Sequence, residues 1–298
     1  MNTRDLEYFV QLTESKSFTE VAQHFHVSQP TITYAIKRLE EKFGTTLVEK
    51  TTANRVDHLT QTGHILAGHA RQIMQDLSKL EKAMEHARLG KIEVGFPPII
   101  MNEFFEHCPS APKNLNFLRQ FHLICGGSQE LRKRLLEGDL DFSLLGSLRP
   151  LNLEQVITVP LYRRELVLLV SKEHSLAQQR EVAFQDLLSE DFILLDEHNI
   201  HLTAFDALNK RNGGRAKVAT QLDNLPLIKK MVAENLGVTI LTASALSKLD
   251  KDLVAIPFVP QEKIYFHVAY AYSPELYLTE ELKEFMALLD TMKEEEVI

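Results

Sequence analysis

Cysteine is scarce in this chain: of 298 residues only Cys108 and Cys125 are thiols. Two cysteines cannot make a disulfide framework, and they fit a reducing compartment. No run of about 18 uncharged apolar residues occurs, which excludes a helical membrane span and argues against a membrane partner. The opening Met1-Asn2-Thr3-Arg4-Asp5 has no apolar centre of the kind a signal peptide needs, so a cytoplasmic protein is expected. Low-complexity tracts and repeats are missing, which argues against disorder and solenoids. Also missing are a Walker loop, a Gly-x-Gly-x-x-Gly turn and a Gly-x-Ser-x-Gly elbow; neither an enzyme nor a bound cofactor is expected. What is left is an ordinary globular composition, 44% hydrophobic and 25% charged, at a length that allows about two domains.

Positive charge is not in excess either. The net charge is −8, and all of the acidic surplus falls after residue 90, while the first sixty residues are close to neutral. Bulk charge therefore gives no support to a nucleic-acid partner, and any such reading has to rest on local geometry.

That geometry lies in residues 1–60. Leu6, Phe9, Val10 and Thr13 follow helical spacing. Ser17-Phe18-Thr19-Glu20 reads as a capping box opening a short second helix with Val21, Ala22 and Phe25 on its apolar face. His26-Val27 makes a turn, Ser28 caps a third helix, and Pro30 is tolerated in its first turn. On the third helix Ile32, Ala35, Ile36, Leu39 and Phe43 are expected to face inward, and Gly44 ends it. Gln29, Thr31, Thr33, Tyr34, Lys37, Arg38 and Lys42 stay outside. Two short helices joined by a tight turn, the second with a polar face, form a helix-turn-helix whose second helix fits a major groove. Gln suits adenine, Thr a thymine methyl, and Arg or Lys guanine or phosphate. Residues 47–59 read as a hairpin wing, with Lys50 and Arg55 toward phosphate or a minor groove. The candidate DNA-contacting set is Ser17, Ser28, Gln29, Pro30, Thr31, Thr33, Tyr34, Lys37, Arg38, Lys50 and Arg55. The bland alternative is a small helical domain with a solvated polar face.

Residues 61–90 contain no proline, and Leu66, Ala70, Ile73, Leu77, Leu80, Met84 and Ala87 alternate at spacings of four and three. That is a heptad seam. A helix of about 29 residues would be about 43 Å long, too long for one small domain to cover. The expected role is to pair with its copy in a second subunit and so present two recognition helices to the two half-sites of an interrupted palindrome on double-stranded DNA.

From residue 91 strands and helices alternate, which predicts an α/β domain with largely parallel sheets in two sets, hence two subdomains and a cleft. Ligands in such sheets settle beyond the carboxyl ends of strands, near helix N-termini. The candidates there are Pro97, Pro98, Ile99, Gly127, Ser128, Gln129, Leu145, Gly146, Asp196, His198, His201, Asp223 and Asn224. Exposure is the plain expectation for His198 and His201, and a capping role for Ser128 stands beside ligand contact.

The pattern Leu6, Phe9, Ser17-Phe18-Thr19, Val21-Ala22, Ser28-Gln29-Pro30, Thr33, Ile36, Leu39-Glu40, Gly44, Leu47, Thr60 and Gly63 resembles the winged helix-turn-helix of LysR-type transcriptional regulators. Two further stretches, Gly127-Ser128-x-Glu130-Leu131 through Asp141 and Glu234-x-x-Gly237-Val238, resemble the family's effector-binding domain, which is like a periplasmic solute-binding protein. Leu47-Val48-Glu49-Lys50 departs from the family's Leu-Phe-x-Arg, so Lys50 keeps a charge without the bidentate fork. The resemblance implies a DNA-binding domain at 1–60 and a dimerisation helix at 61–90. It places an effector-binding domain at 91–298, with subdomain I at 91–161 and 268–298 and subdomain II at 162–267. It also implies a homodimer or homotetramer controlled by a small-molecule effector. Residues 27–36 are similar in wording to malolactic-fermentation regulators within the family, which implies a small organic acid such as malate. A solute-binding protein with no regulatory role is the alternative.

His24-Phe25-His26 looks like a metal pair, but no third ligand is near in sequence, and no metal is expected. Both cysteines are expected to be buried and inert, although His107 and His122 lie close to them in sequence.

Overall fold

The computed structural model describes residues 1–50, 56–107 and 119–294. It divides into two compact units, Met1–Met84 and Glu85–Ile298.

In the first unit α1 (Thr3–Ser15), α2 (Phe18–His24) and α3 (Gln29–Phe43) are followed by a hairpin of β1 (Val48–Lys50) and β2 (Val56–Leu59). A long helix, α4 (Gln61–Leu89), comes next. The reciprocal capping box opens α1: the Asn2 side chain accepts from the Asp5 amide at 2.9 Å and Asp5 Oδ2 accepts from the Asn2 amide at 3.1 Å. At α2, the Ser17 hydroxyl accepts from the Glu20 amide at 3.3 Å. His26 takes φ +53° between α2 and α3, and Gly44 at φ +64° closes α3. The expected inward residues Ile32, Ala35, Ile36 and Leu39 are buried with Leu6, Phe9, Phe18 and Val21. Phe43 is not; it is 46% exposed. It keeps the helical spacing from Leu39, but α3 runs past the core at that turn, where Leu47 fills the last place inside.

The first third of α4 belongs to this core. Gly63 sits where a Cβ would lie 2.1 Å from the Leu47 carbonyl, so only glycine lets the helix rest on the hairpin. Thr60 Oγ1 accepts from the Gly63 amide at 3.0 Å, and Ala67 and Ala70 are buried. Ala70, expected in the dimer seam, is therefore spent inside its own domain.

In the second unit the order is β3 (Ile92–Phe96), α5 (Pro98–His107), β4 (Phe121–Cys125), α6 (Ser128–Leu136), β5 (Phe142–Ser147) and β6 (Ile157–Ser171). Then come β7 (Asp191–Leu195), α7 (Ile200–Arg211), β8 (Lys217–Leu222), α8 (Leu225–Ala233), β9 (Thr239–Thr242), β10 (Leu253–Pro257), β11 (Tyr265–Tyr272) and α9 (Glu280–Asp290). The main sheet runs β10-β6-β11-β5-β3-β4, with β9 also on β6, and β7 pairs β8.

The pairing corrects the expectation of largely parallel sheets. β3–β4, β3–β5 and β7–β8 are parallel, but β11 runs antiparallel to β5 and β6, and β6 antiparallel to β9 and β10. The two long strands β6 and β11 carry the chain between the lobes and return it, so they must run against their neighbours. Pro160, which cannot donate to the ladder, lies in β6 beside a register shift between Val268 and Ala269.

Each lobe has its own core. Phe96, Phe104, Phe142 and Phe285 centre the first. In the second, β6 is buried on both faces: Leu166, Leu168 and Val170 pack with Phe184, Phe192 and Phe205, while Val167 and Leu169 pack with Ile193 and Ile228. A strand covered on both faces reads as an unbroken apolar run, which is what residues 166–170 show. Ile99, from α5 beside the first lobe, is buried in the second lobe's cluster and ties the two together.

Candidate functional site

On α3 the inward stripe leaves a polar face outside. Tyr34 is 62% exposed, and Lys37, Arg38 and Lys42 are exposed with it. The Gln29 side-chain amide donates to Thr33 Oγ1 at 2.9 Å. The Gln29 amide carries two hydrogens and an oxygen, so it can keep the Thr33 bond and still offer one donor and one acceptor, the pair that reads adenine. Ser28 is the N-cap residue by backbone, but its hydroxyl meets Thr31 Oγ1 at 2.9 Å and caps no amide. Pro30 is exposed in the first turn.

Three expected contacts stand differently. Ser17 is buried with its hydroxyl in the α2 cap, so it presents little to a duplex. Arg38 forks onto the buried Asp5, Nε to Oδ2 at 3.2 Å with Nη2 on Oδ1. Burial works to raise the Asp5 pKa, but the bonds from Arg38 and the Asn2 amide outweigh it and hold the carboxyl below its usual range. Arg38 thus fastens α3 to the start of α1. Lys50 ends β1, and Arg55 lies outside the described residues.

Along α4 the expected seam separates into two parts. Leu66 and Ala70 pack on the first unit's core. Ile73, Leu80 and Met84 are 44, 57 and 64% exposed, and Ala87 is exposed too, with Leu77 half-buried. Ile73 also lines an apolar groove of about 400 Å³ with Leu6, Phe43, Leu47, Ile65 and Leu66. A row of exposed large apolar side chains at heptad spacing is a surface built to be covered.

In the second unit a cavity of about 440 Å³ opens between the lobes. Pro98 and Ile99 line it from the start of α5, and Gly127 and Glu130 from the start of α6. Asp196, His198 and Asn199 come from the loop into α7, and Asp223, Asn224, Leu225 and Pro226 from the start of α8. Four helix N-termini thus meet on one cavity, each bringing the positive end of its dipole. The same lining holds the carboxylates of Glu130, Asp196 and Asp223 and no lysine or arginine. Asp196 is partly satisfied, Oδ1 accepting from the His198 amide at 3.2 Å and from Asn199 Nδ2 at 2.8 Å. Glu130 lies 3.8 Å from Arg134.

Seven sequence candidates line the cavity: Pro98, Ile99, Gly127, Asp196, His198, Asp223 and Asn224. The other six are not among its lining residues. Pro97 is buried, its carbonyl accepting from the Met101 amide. The Ser128 hydroxyl accepts from the Gly146 amide at 2.8 Å. Gln129 donates to Thr203 Oγ1 at 3.0 Å. Leu145 packs with Leu131 and Leu135. Gly146 lies under Phe266, whose Cζ is 1.9 Å from where a Cβ would be. His201, expected to be exposed, is 4% exposed. Gly127 brings the lobes into contact, since a Cβ there would lie 2.0 Å from the His198 carbonyl.

Sequence reasoning passed over Cys125, Gly126, Glu130, Leu195, Asn199, Leu225 and Pro226 in this lining. Asn199 and the Asn224-Leu225-Pro226 run were findable, because Asn at an N-cap and Pro in the first turn mark helix starts. Cys125 is exposed rather than buried, as the last residue of an edge strand. Cys108 lies outside the described residues. His122 pairs with Glu93 at 2.7 Å, and His24 packs edge-on against Phe25. Among the described residues no group of three or more His, Cys, Asp or Glu could hold a metal ion. No helix among them is long and apolar enough to cross a membrane.

A helix-turn-helix with a wing, a long helix with an uncovered apolar row, and two lobes around a cleft define a ligand-responsive DNA-binding regulator. Residues 3–64 match the family profile of the bacterial regulatory helix-turn-helix proteins of the lysR family, and residues 86–293 match the LysR substrate binding domain. The chain belongs to the LysR family of transcriptional regulators, and its relatives are regulators rather than enzymes. It is 43% identical over 98% of its length to the malolactic fermentation system transcriptional activator of Lactococcus lactis subsp. lactis, covering 99% of that protein. It is 28% identical over 83% of its length to the DNA-binding transcriptional dual regulator OxyR of Escherichia coli, covering 80% of it. Among solved structures, the Corynebacterium glutamicum OxyR C206 mutant matches with a TM-score of 0.54 at 21% identity, over 98% of this chain and 92% of that one. Full-length CbnR in complex with its target DNA matches at 0.51 and 19%, over 98% and 100%. At these identities the solved structures speak for the fold.

Proposed function

We infer that this regulator works in the cytoplasm as a dimer, or a pair of dimers, on an interrupted palindrome of double-stranded DNA, and that a small organic acid in the inter-lobe cleft sets its activity. In this reading α3 enters the major groove through Gln29, Thr31, Thr33 and Tyr34, with Lys37, Lys50 and Arg55 on phosphate. Ile73, Leu77, Leu80, Met84 and Ala87 meet the partner's α4. Malate is the first acid to try, because the most extensive likeness above is to an activator of malolactic fermentation. The observation that carries the effector reading is the convergence of the α5, α6, α7 and α8 N-termini on one cavity, an arrangement suited to a carboxylate. A bound acid acts only if it favours one arrangement of the lobes over another.

Two measurements test this. Gel-shift titration against the gene's own upstream region, at fixed salt, should give a complex that survives excess competitor DNA. Binding that is weak and vanishes with modest salt would count against operator recognition. L-malate, L-lactate and succinate should each be titrated while the melting temperature is followed. An acid held at a hundred times its Kd stabilises by about 2.7 kcal/mol, and no shift with any of them would reject the small-acid reading.

A further inference from the structure

His201 is the second residue of α7, three residues beyond His198 in the cavity wall, and it is 4% exposed. Its ring stacks on Phe266 at 5.2 Å and 24°, and Phe266 in turn occupies the space above Gly146. Phe266 belongs to the first lobe's core, so the stack spans the seam between the lobes. Both ring nitrogens are buried and no described protein group pairs with either.

Polar groups of the segments nearby in the fold already have partners. Gly146 gives its amide to the Ser128 hydroxyl, Gln129 gives its backbone amide to the His198 carbonyl at 3.3 Å, and its side chain reaches Thr203. Burial alone pushes the imidazole down to about 4, so the ring is neutral and carries one N–H donor and one acceptor. Stacking on Phe266 explains the ring but not the nitrogens. A phenylalanine would stack as well and would leave nothing unsatisfied in an apolar seam. A buried polar group without a partner is rare enough in native folds to need a reason.

Resting on the small-acid reading of the cleft, we propose that His201 is its specificity-determining residue, donating its N–H to a carboxylate oxygen of the bound acid. A neutral donor suits a lining that already holds Glu130, Asp196 and Asp223, because it recognises a carboxylate without requiring a buried cation. His201 does not line the cavity as it stands, so the acid can reach the ring only if the Phe266 stack opens. Binding therefore exchanges a contact that holds the lobes together for one that the acid supplies, and this gives the acid its preference for a different lobe arrangement.

The experiment uses the full-length protein with L-malate, L-lactate and succinate as probes, in three forms: wild type, His201→Phe and His201→Gln. Without a probe, His201→Phe should melt at or above the wild-type temperature. By calorimetric titration it should bind the acid at least about tenfold more weakly, the loss of one hydrogen bond to a charged group. His201→Gln, which keeps a donor, should lose less. In the wild type the ¹⁵N resonances of the His201 ring should move on saturation with the acid. Unchanged affinity in His201→Phe, or an unmoved ring resonance at saturation, would make His201 a packing residue and overturn the proposal while leaving the small-acid reading intact. Wild-type protein that binds none of the three acids would overturn both. Should His201→Phe not fold, the ring resonance and His201→Gln decide the matter.

Discussion

Arg38 separates two uses of a recognition-helix arginine, contact with the duplex and support of its own domain. Asp5 is 1% exposed, while the Arg38 side chain keeps 46% of its surface open. Replacing Arg38 by Ala strands a buried carboxylate that also closes the α1 capping box. Removing one partner from a fully buried ion pair costs about 3–5 kcal/mol, whereas an exposed pair is worth about 0–1 kcal/mol. With one partner buried and the other half open, about 2 kcal/mol is the reasonable loss. At about 4–8 °C per kcal/mol for a domain of this size, the transition of the first unit should fall by about 8–16 °C.

Scanning calorimetry of the full chain reads this directly, provided the two units' transitions are resolved. Arg38→Lys, which keeps charge but loses the fork, should fall between. In an Asp5→Asn background Arg38→Ala should cost little, a coupling of at least about 1 kcal/mol. The pH dependence has a definite sign. Burial favours the protonated form of Asp5, but the Arg38 and Asn2 bonds prevail and lower its pKa. Its share of stability is then complete above the unfolded value, about 3.9, and is lost as pH falls through the folded value. The gap between wild type and Arg38→Ala should therefore be full at pH 7 and close in acid. An unchanged melting temperature together with lost operator binding would refute the reasoning and return Arg38 to the duplex.

Leu80→Asp should split the dimer in sedimentation experiments and leave the first unit's melting unchanged, because Leu80 is 57% exposed and lies outside that core; a variant still dimeric would remove α4 as the pairing surface. Gly127→Ala places a methyl 2.0 Å from the His198 carbonyl, so α6 and the loop must separate. It should lower the second unit's stability by about 1–3 kcal/mol, and unaltered melting would mean that the lobes do not rely on this contact. Asp223→Asn removes an exposed charge from the cavity lining. At about 7 Å in a water-like dielectric that charge is worth about 0.6 kcal/mol against an anion, so L-malate should bind about threefold more tightly. Equal or weaker binding would place the acid elsewhere.

The parts of this fold that could be read in the sequence are those with a single local cause. The α3 stripe of Ile32, Ala35, Ile36 and Leu39 needs only helical period, and its end at Gly44 needs only a residue at ease with positive φ. What escaped depended on distant partners. Phe43 obeys the same period and is exposed because the core ends before it does. Ala70 obeys the heptad and is buried in the wrong place, because Gly63 lets α4 lie on the hairpin. Arg38 could not be assigned to Asp5 across 33 residues by any spacing rule. His201 was misjudged for the same reason: loop position suggested exposure, but it is buried, its ring stacked on Phe266 from a strand 65 residues later.

The cleft and the recognition helix share a physical problem, since both are read as binding anions in a chain of net charge −8. On α3 the lysines are few, and one of them, Lys37, lies 3.7 Å from Glu41. In the cleft no lysine or arginine lines the cavity at all. In the cleft, attraction has to come from oriented dipoles, the four helix N-termini around the cavity; on α3 the N-terminus with its Ser28 and Thr31 hydroxyls adds to what the exposed lysines supply. Dipoles act over about one helical turn, whereas net charge acts over a Debye length of about 8–10 Å. An acidic body with dipolar sites therefore repels anions in general and holds only those that fit closely against a helix end. In the proposed reading the geometry of the cleft, more than its charge, is the source of discrimination, and a single uncharged donor such as His201 would carry much of it.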